Sequence, residues 1–363
     1  MQKHQHGGNL NLAARKYGLD PEKILDFSVN TNPLGPPEVI HALLEKGLRY
    51  VTAYPEPYCE TLKEEYASSL SITPDQLIFT NGAVELIYMV IQALRPRTVL
   101  IPAPTFSEYE IAARAFQTCL KLFRLPREKD FLPELNALIR AARGVDMVFL
   151  CNPNNPTANL YPPEILQPFF EFCDAEGIFV IIDESFLIFH KHWLELSAVP
   201  KTKASKNLLI LQSLTKFYSI PGLRVGYGVA HPETIALLNR FQPPWQVNSL
   251  AQVAAKEILK DDSFKLSTCT YVEQERSQFS AALSAVNEVR VYPSDAPFLL
   301  LALGENLTAP SLVDSLARKG ILVRDCSNFA YLGDNHIRVA VKDREKNSLL
   351  VSELTKSVNE QSF

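Results

Sequence analysis

One lysine of this chain stands where a lysine is costly. In residues 207–228, NLLILQSLTKFYSIPGLRVGYG, the apolar run Leu208 to Leu211 reads as a buried strand, and Lys216 lies just beyond its end. An ammonium group is expensive to remove from water. A lysine placed there is depressed in pKa and usable as an amine that condenses with a carbonyl compound. Ser213 and Thr215 flank it with hydroxyls, and Arg224 follows after a Pro-Gly turn. Two hydroxyls and a guanidinium suit a phosphate group. An amine beside a phosphate cradle is what pyridoxal 5′-phosphate requires, because its aldehyde condenses with lysine. Taken alone, the stretch also fits a surface lysine at a strand end.

The elements around it are those of an α/β protein. From residue 76 the segments QLIFT, TVLIPAP, CLKLFRL, VDMVFLCNP, IFVIIDES and NLLILQS read as strands, with helices between several of them. Near-continuous Val/Ile/Leu runs in such alternation predict a mostly parallel sheet covered by helices on both faces. In the helix AVELIYMVIQAL, the spacing predicts an apolar face of Val84, Ile87, Tyr88, Ile91 and Leu94. The large domain is expected over residues 50–240. After FQPPWQVN the texture changes. A long helical segment, 249–286, leads to short strands VRVYPS, FLLLAL and HIRVAV, which predict a smaller α+β domain over 241–363. Residues 1–49 are expected to form an N-terminal arm and part of that small domain.

Ligands of parallel α/β sheets sit outside the carboxyl ends of the strands. After QLIFT come Asn81-Gly82-Ala83, a turn opening a helix and suited to an anion. After TVLIPAP comes Phe106, an aromatic placed to stack on a flat ring. After VDMVFLC comes NPNNPT, with Asn155, and after IFVII come Asp183 and Glu184. Each has an ordinary explanation as a turn, a core residue or a helix cap. Their joint order, ending in SLTK with an arginine eight residues on, is far more restrictive.

On these motifs the chain resembles the fold-type I pyridoxal-phosphate enzymes, the aspartate aminotransferase superfamily, over nearly its whole length. YPEPY, NPNNPT and SLTKFYSIPGLRVGY resemble the histidinol-phosphate aminotransferase branch. HGGN followed by DFSVNTNPLGPP is closer to the L-threonine-O-3-phosphate decarboxylases of cobalamin biosynthesis. The resemblance implies that Lys216 carries the cofactor and Asp183 pairs with its ring nitrogen. It implies that Asn155 bonds the ring 3′-oxygen, Phe106 covers a ring face, and Gly82, Ala83, Ser213 and Arg224 hold the phosphate. It further implies a homodimer in which Tyr54 reaches the phosphate of the other subunit's cofactor. Arg338 stands where the family binds the substrate carboxylate. Arg324, alternatively a solvated charge at a strand end, is placed to meet a distal phosphate, with His6, Gly7 and Asn32 closing over the pocket. Related aminotransferases commonly carry a tyrosine three residues after the aspartate. Phe186 stands there in this chain, has no hydroxyl, and favours the decarboxylase branch.

Composition narrows the classes. The 363 residues are 47% hydrophobic, with a net charge of −4 and basic residues scattered rather than blocked, which does not suit nucleic-acid or anionic-membrane binding. The six cysteines form no CxxC pair, so no metal site is expected, and they read as reduced thiols of a cytoplasmic protein. No apolar run is long enough for a membrane helix. The resulting expectation is decarboxylation of L-threonine O-3-phosphate to (R)-1-amino-2-propanol O-2-phosphate. The alternatives are a histidinol-phosphate aminotransferase, a decarboxylase of L-serine O-phosphate, and a catalytically idle regulator of the same fold.

Overall fold

The computed structural model describes residues 7–361. Its centre is a seven-stranded sheet. From one edge the order is Leu77–Thr80, Gly226–Ala230, Leu208–Ser213, Phe179–Asp183, Met147–Cys151, Thr98–Ala103 and Cys119–Arg124. Gly226–Ala230 runs antiparallel to both neighbours, and every other pairing is parallel.

Side chains alternate across a strand, and here both rows are apolar. Val148, Leu150, Val180, Ile182, Leu208 and Ile210 enter one core with helices Glu60–Leu70 and Pro163–Ala175. Met147, Phe149, Phe179, Ile181, Leu209 and Leu211 enter the other, with helices Ala83–Leu94 and Glu108–Ala115. Helix Ala83–Leu94 buries Leu86, Ile87, Met89, Val90 and Ile91, whereas Val84 and Tyr88 of the expected stripe are half-buried. Its stripe is wider because it packs along the sheet and also against Glu108–Ala115.

A second, antiparallel sheet is ordered Arg324–Asp325, His336–Ala340, Phe298–Leu303, Val289–Val291. Leu25–Asp26 pairs in parallel with Ile321–Leu322, so the chain's beginning lies against its end. One apolar cluster crosses the expected boundaries at 49 and 240. Ile40 and Leu43 of helix Glu38–Glu45 pack into the large core, as do Ala251, Ala254 and Ile258 of helix Ser249–Leu259. The expected single helix 249–286 is two, because Asp261 caps a new helix, Asp262–Ser284, by accepting from Phe264 N–H at 2.9 Å.

Gly226 is where the sheet fixes the site. A Cβ on it would lie 2.6 Å from Ala83 N and 2.8 Å from Gln212 O, both backbone atoms. Only a glycine lets the start of helix Ala83–Leu94 press against this strand. Gly226→Ala is therefore expected to lower stability by about 1–3 kcal/mol, read as a fall in thermal midpoint; an unchanged midpoint would show that the contact is loose.

Candidate active site

The register decides which side chains meet. Cys151 pairs with Asp183, and Asp183 with Leu211, two residues before Ser213. Odd-numbered positions of these strands share a face, so Cys151, Asp183 and Ser213 end their strands on the side covered by helices Ala83–Leu94 and Glu108–Ala115. A cavity of about 420 Å³ opens there. Of the expected residues, Gly7, Ala83, Phe106, Asn155, Asp183, Ser213, Lys216, Arg224, Arg324 and Arg338 line it.

Lys216 sits in the short helix Leu214–Phe217. Removal from water, with Arg338 and Arg224 nearby, lowers its pKa to about 8. Ser213 Oγ and Thr215 Oγ1 lie 2.9 Å apart. Arg224 has φ +58° and donates to Pro221 O at 3.1 Å. A Cβ on Gly82 would stand 2.4 Å from an Arg224 terminal nitrogen. Gly82 thus makes room for the guanidinium, while its own N–H is bonded to Thr80 O at 2.8 Å. The first N–H groups of the helix beginning at Ala83 point beyond the helix start.

Asp183 is buried, which pushes its carboxyl upward, against donors that pull it down. Ser185 N–H donates to Oδ1 at 2.9 Å and Tyr109 Oη to Oδ2 at 2.7 Å. Neighbouring Glu184 turns to the other face, where it accepts from Ser197 Oγ, Ala198 N–H and Gln212 Nε2 at 2.6, 2.8 and 3.0 Å.

The two arginines are cross-strand partners, Arg324 opposite Arg338. Both are buried, and burial lowers both guanidinium pKa values, that of Arg338 to about 10. Arg338 donates to Asn155 Oδ1 and, at 2.8 Å, to Ser28 O, while its Nε has no partner. Arg324 donates to Asn328 Oδ1 at 2.9 Å and lies over the Phe329 ring, 5.2 Å from its centroid. Among the described residues neither arginine forms an ion pair. Phe186 sets its edge against Phe298, centroids 5.0 Å apart, and Phe298 lies beneath Arg338.

Of the other expected residues that the structure describes, Gly82, Asn32 and Tyr54 do not line the cavity. Asn32 is a correction: its amide donates to Phe217 O and Thr268 Oγ1 at 2.7 and 2.9 Å, so it faces away. Its N–H donates to Lys216 O at 3.0 Å, and it holds the lysine turn instead. Tyr54 is 84% exposed beside Trp245. His6 lies outside the described residues. Sequence reasoning missed Ser28 and Tyr109. Tyr109 reads as core in its helix, along with Ala112 and Ala113, and Ser28 acts partly through its backbone, which carries no sequence signal.

Fold and cavity define an α/β enzyme, its central sheet covered on both faces, with a lysine and a buried carboxylate lining one cavity. The chain belongs to the aminotransferase class I and II family, whose model matches residues 22–354. It is 34% identical to a threonine-phosphate decarboxylase of Salmonella typhimurium, over 96% of this chain and 95% of that one. It is 32% identical to an adenosylcobalamin biosynthesis bifunctional protein of Leptospira interrogans, over 96% of this chain and 40% of that one. A solved histidinol-phosphate aminotransferase from Clostridium acetobutylicum superposes with a TM-score of 0.87 at 30% identity, covering 93% of this chain and all of that one (100%).

The cofactor is pyridoxal 5′-phosphate, and the donor set fits it. Four cations, Lys216, Arg224, Arg324 and Arg338, line a cavity whose acidic residues are Asp183 and Glu108. That surplus suits a phosphorylated ligand. With a lysine pKa near 8, the free amine grows as pH rises through that value. Capture of the cofactor by cofactor-free protein should therefore speed up roughly tenfold between about pH 7 and 9, followed by visible absorbance. A flat profile would mean that another group limits capture, and persistence of the band in Lys216→Ala would remove Lys216 as the amine.

Proposed function

We propose that this protein decarboxylates L-threonine O-3-phosphate, giving (R)-1-amino-2-propanol O-2-phosphate and CO₂ for cobalamin biosynthesis. The observation that carries the reading is the pair of buried, cross-strand arginines without a carboxylate between them. Like charges placed opposite each other repel, and an anionic ligand removes the conflict. A small substrate with a carboxylate and a phosphate supplies one anion to each. The threonine-phosphate decarboxylase relative, matched over almost its full length, supports the same choice.

When bound, the cofactor supplies an electron sink for the charge left on Cα as a bond breaks. The chain's residues decide which bond that is. Arg338, steadied by Ser28 O and the Phe298 ring, would grip the substrate carboxylate and fix its orientation. Arg324 holds the phosphate and fixes the other end. The Cα–carboxylate bond breaks, CO₂ leaves, and Lys216 or a water returns a proton to Cα. Asp183 would pair with the ring nitrogen and keep it protonated, Asn155 would bond the 3′-oxygen, and Ala83, Ser213 and Arg224 would hold the phosphate. Phe186 adds no hydroxyl to the site and backs Phe298 under Arg338.

Tyr54 reaches the cofactor phosphate of a second copy. In support, Leu48, Val51, Tyr54 and Trp245 leave an apolar surface exposed by 78, 58, 84 and 47%, a patch suited to homodimerisation. All six cysteines are unpaired, which supports a reducing compartment such as the cytoplasm. No helix among the described residues is long and apolar enough to cross a membrane.

The deciding assay incubates the loaded protein with L-threonine O-3-phosphate, with and without 2-oxoglutarate. CO₂ release in both is expected. Glutamate formation from histidinol phosphate and 2-oxoglutarate, without CO₂, would instead make the protein an aminotransferase. Arg324→Ala should raise KM for the phosphorylated substrate about ten- to a hundredfold, with little change for unphosphorylated threonine. Equal effects on both would return Arg324 to a scaffold role.

A further inference from the structure

Asp183 is held from an unexpected side. Tyr109 comes from helix Glu108–Ala115, one of the two helices that cover this face of the sheet. Its Oη donates to Asp183 Oδ2 at 2.7 Å. The ring is fully buried and fixed by two aromatics. It stacks on Phe149, with centroids 5.0 Å apart and planes 11° apart. It also meets Phe106 edge-on at 5.6 Å, so the same tyrosine touches the aromatic lining the cavity. A ring locked in this way holds its hydroxyl beside the Asp183 carboxylate.

We infer that Tyr109 is a positioning residue of the reaction, holding the Asp183 carboxylate ionised and aimed into the cavity; this rests on the cofactor reading above. Three titratable groups face or adjoin Asp183: Tyr109 from the helix, Cys151 from the neighbouring strand, and Glu184 next in the chain. Burial raises the phenol and the thiol far above their usual ranges, so both stay neutral and the phenol stays a donor. Glu184 is turned away and bonded elsewhere. Against the burial that favours a neutral Asp183 stand the Ser185 contact and the Tyr109 hydroxyl. Without Tyr109 the carboxylate becomes a stronger base. It then draws the ring-nitrogen proton toward itself, the ring becomes less positive, and the lysine–cofactor linkage holds its own proton to higher pH.

The test is Tyr109→Phe, which keeps the stacked ring and removes only the hydroxyl. Wild type and variant are loaded with cofactor at saturation and their visible absorbance is titrated against pH without substrate. The midpoint is expected to rise by about half a pH unit or more, and the rise should vanish in an Asp183→Asn background. Identical midpoints, or an equal rise without Asp183, overturn the inference. A wild type that develops no band overturns the cofactor reading and this inference with it, whereas a normal wild-type band with an unmoved variant overturns this inference alone. Should the Phe chain not fold, wild-type protein grown on 3-fluorotyrosine, a stronger donor of nearly the same shape, is expected to move the midpoint downward, and no movement is the overturning result.

Discussion

Uncompensated positive charge is the constraint on which this structure turns. Lys216, Arg224, Arg324 and Arg338 converge on one cavity, and the two last-named are buried without an ion pair among the described residues. Desolvating a guanidinium costs several kcal/mol, and cross-strand placement adds repulsion. A hydrophobic fold alone gains nothing from this arrangement. It is tolerable because rigid sheets on either side hold the cations and because anionic ligands complete it.

Each cation is held by a different device. Lys216 hangs from a strand end, and its carbonyl is tied to Asn32 of the N-terminal segment. Arg224 occupies space that a Cβ on Gly82 would fill. Arg338 rests on Phe298, backed by Phe186, and bonds Ser28 O. Ser28 in turn accepts from Gly8 N–H and donates to Asp26, so the N-terminal segment is built into the Arg338 side of the cavity. Asp183, the carboxylate that the proposal pairs with the cofactor ring, is met by the Tyr109 and Ser185 donors rather than by a cation.

The choice of bond broken is a matter of geometry more than of reactive groups. The fold superposes closely on that of a solved histidinol-phosphate aminotransferase. On the proposed reaction, the outcome turns on which substituent of Cα the two guanidiniums hold in place, and the rings beneath them steady those guanidiniums. Phe186 carries no chemistry of its own, yet it replaces a polar contact with a packing one at this point.

Much of the site was legible because its residues fall at strand ends in a fixed order. Apolar runs define buried strands, and the residue after each run is delivered to the carboxyl edge of the sheet. Lys216, Asp183, Asn155 and Phe106 were read in this way. Arg324 and Arg338 were named by position, but only the antiparallel register made them neighbours. Other features depended on contacts between distant segments. Asn32 turned from the cavity because Phe217 O and Thr268 claim its amide. Tyr109 lay hidden in an ordinary amphipathic helix until packing set its hydroxyl against Asp183. The sequence by itself determined which elements form and what chemistry their ends carry, since periodicity and residue type are local properties. Tertiary structure alone decided which side chains share a face, which polar atoms are already spent, and which charges lack partners, because those follow from atoms brought together across the whole chain.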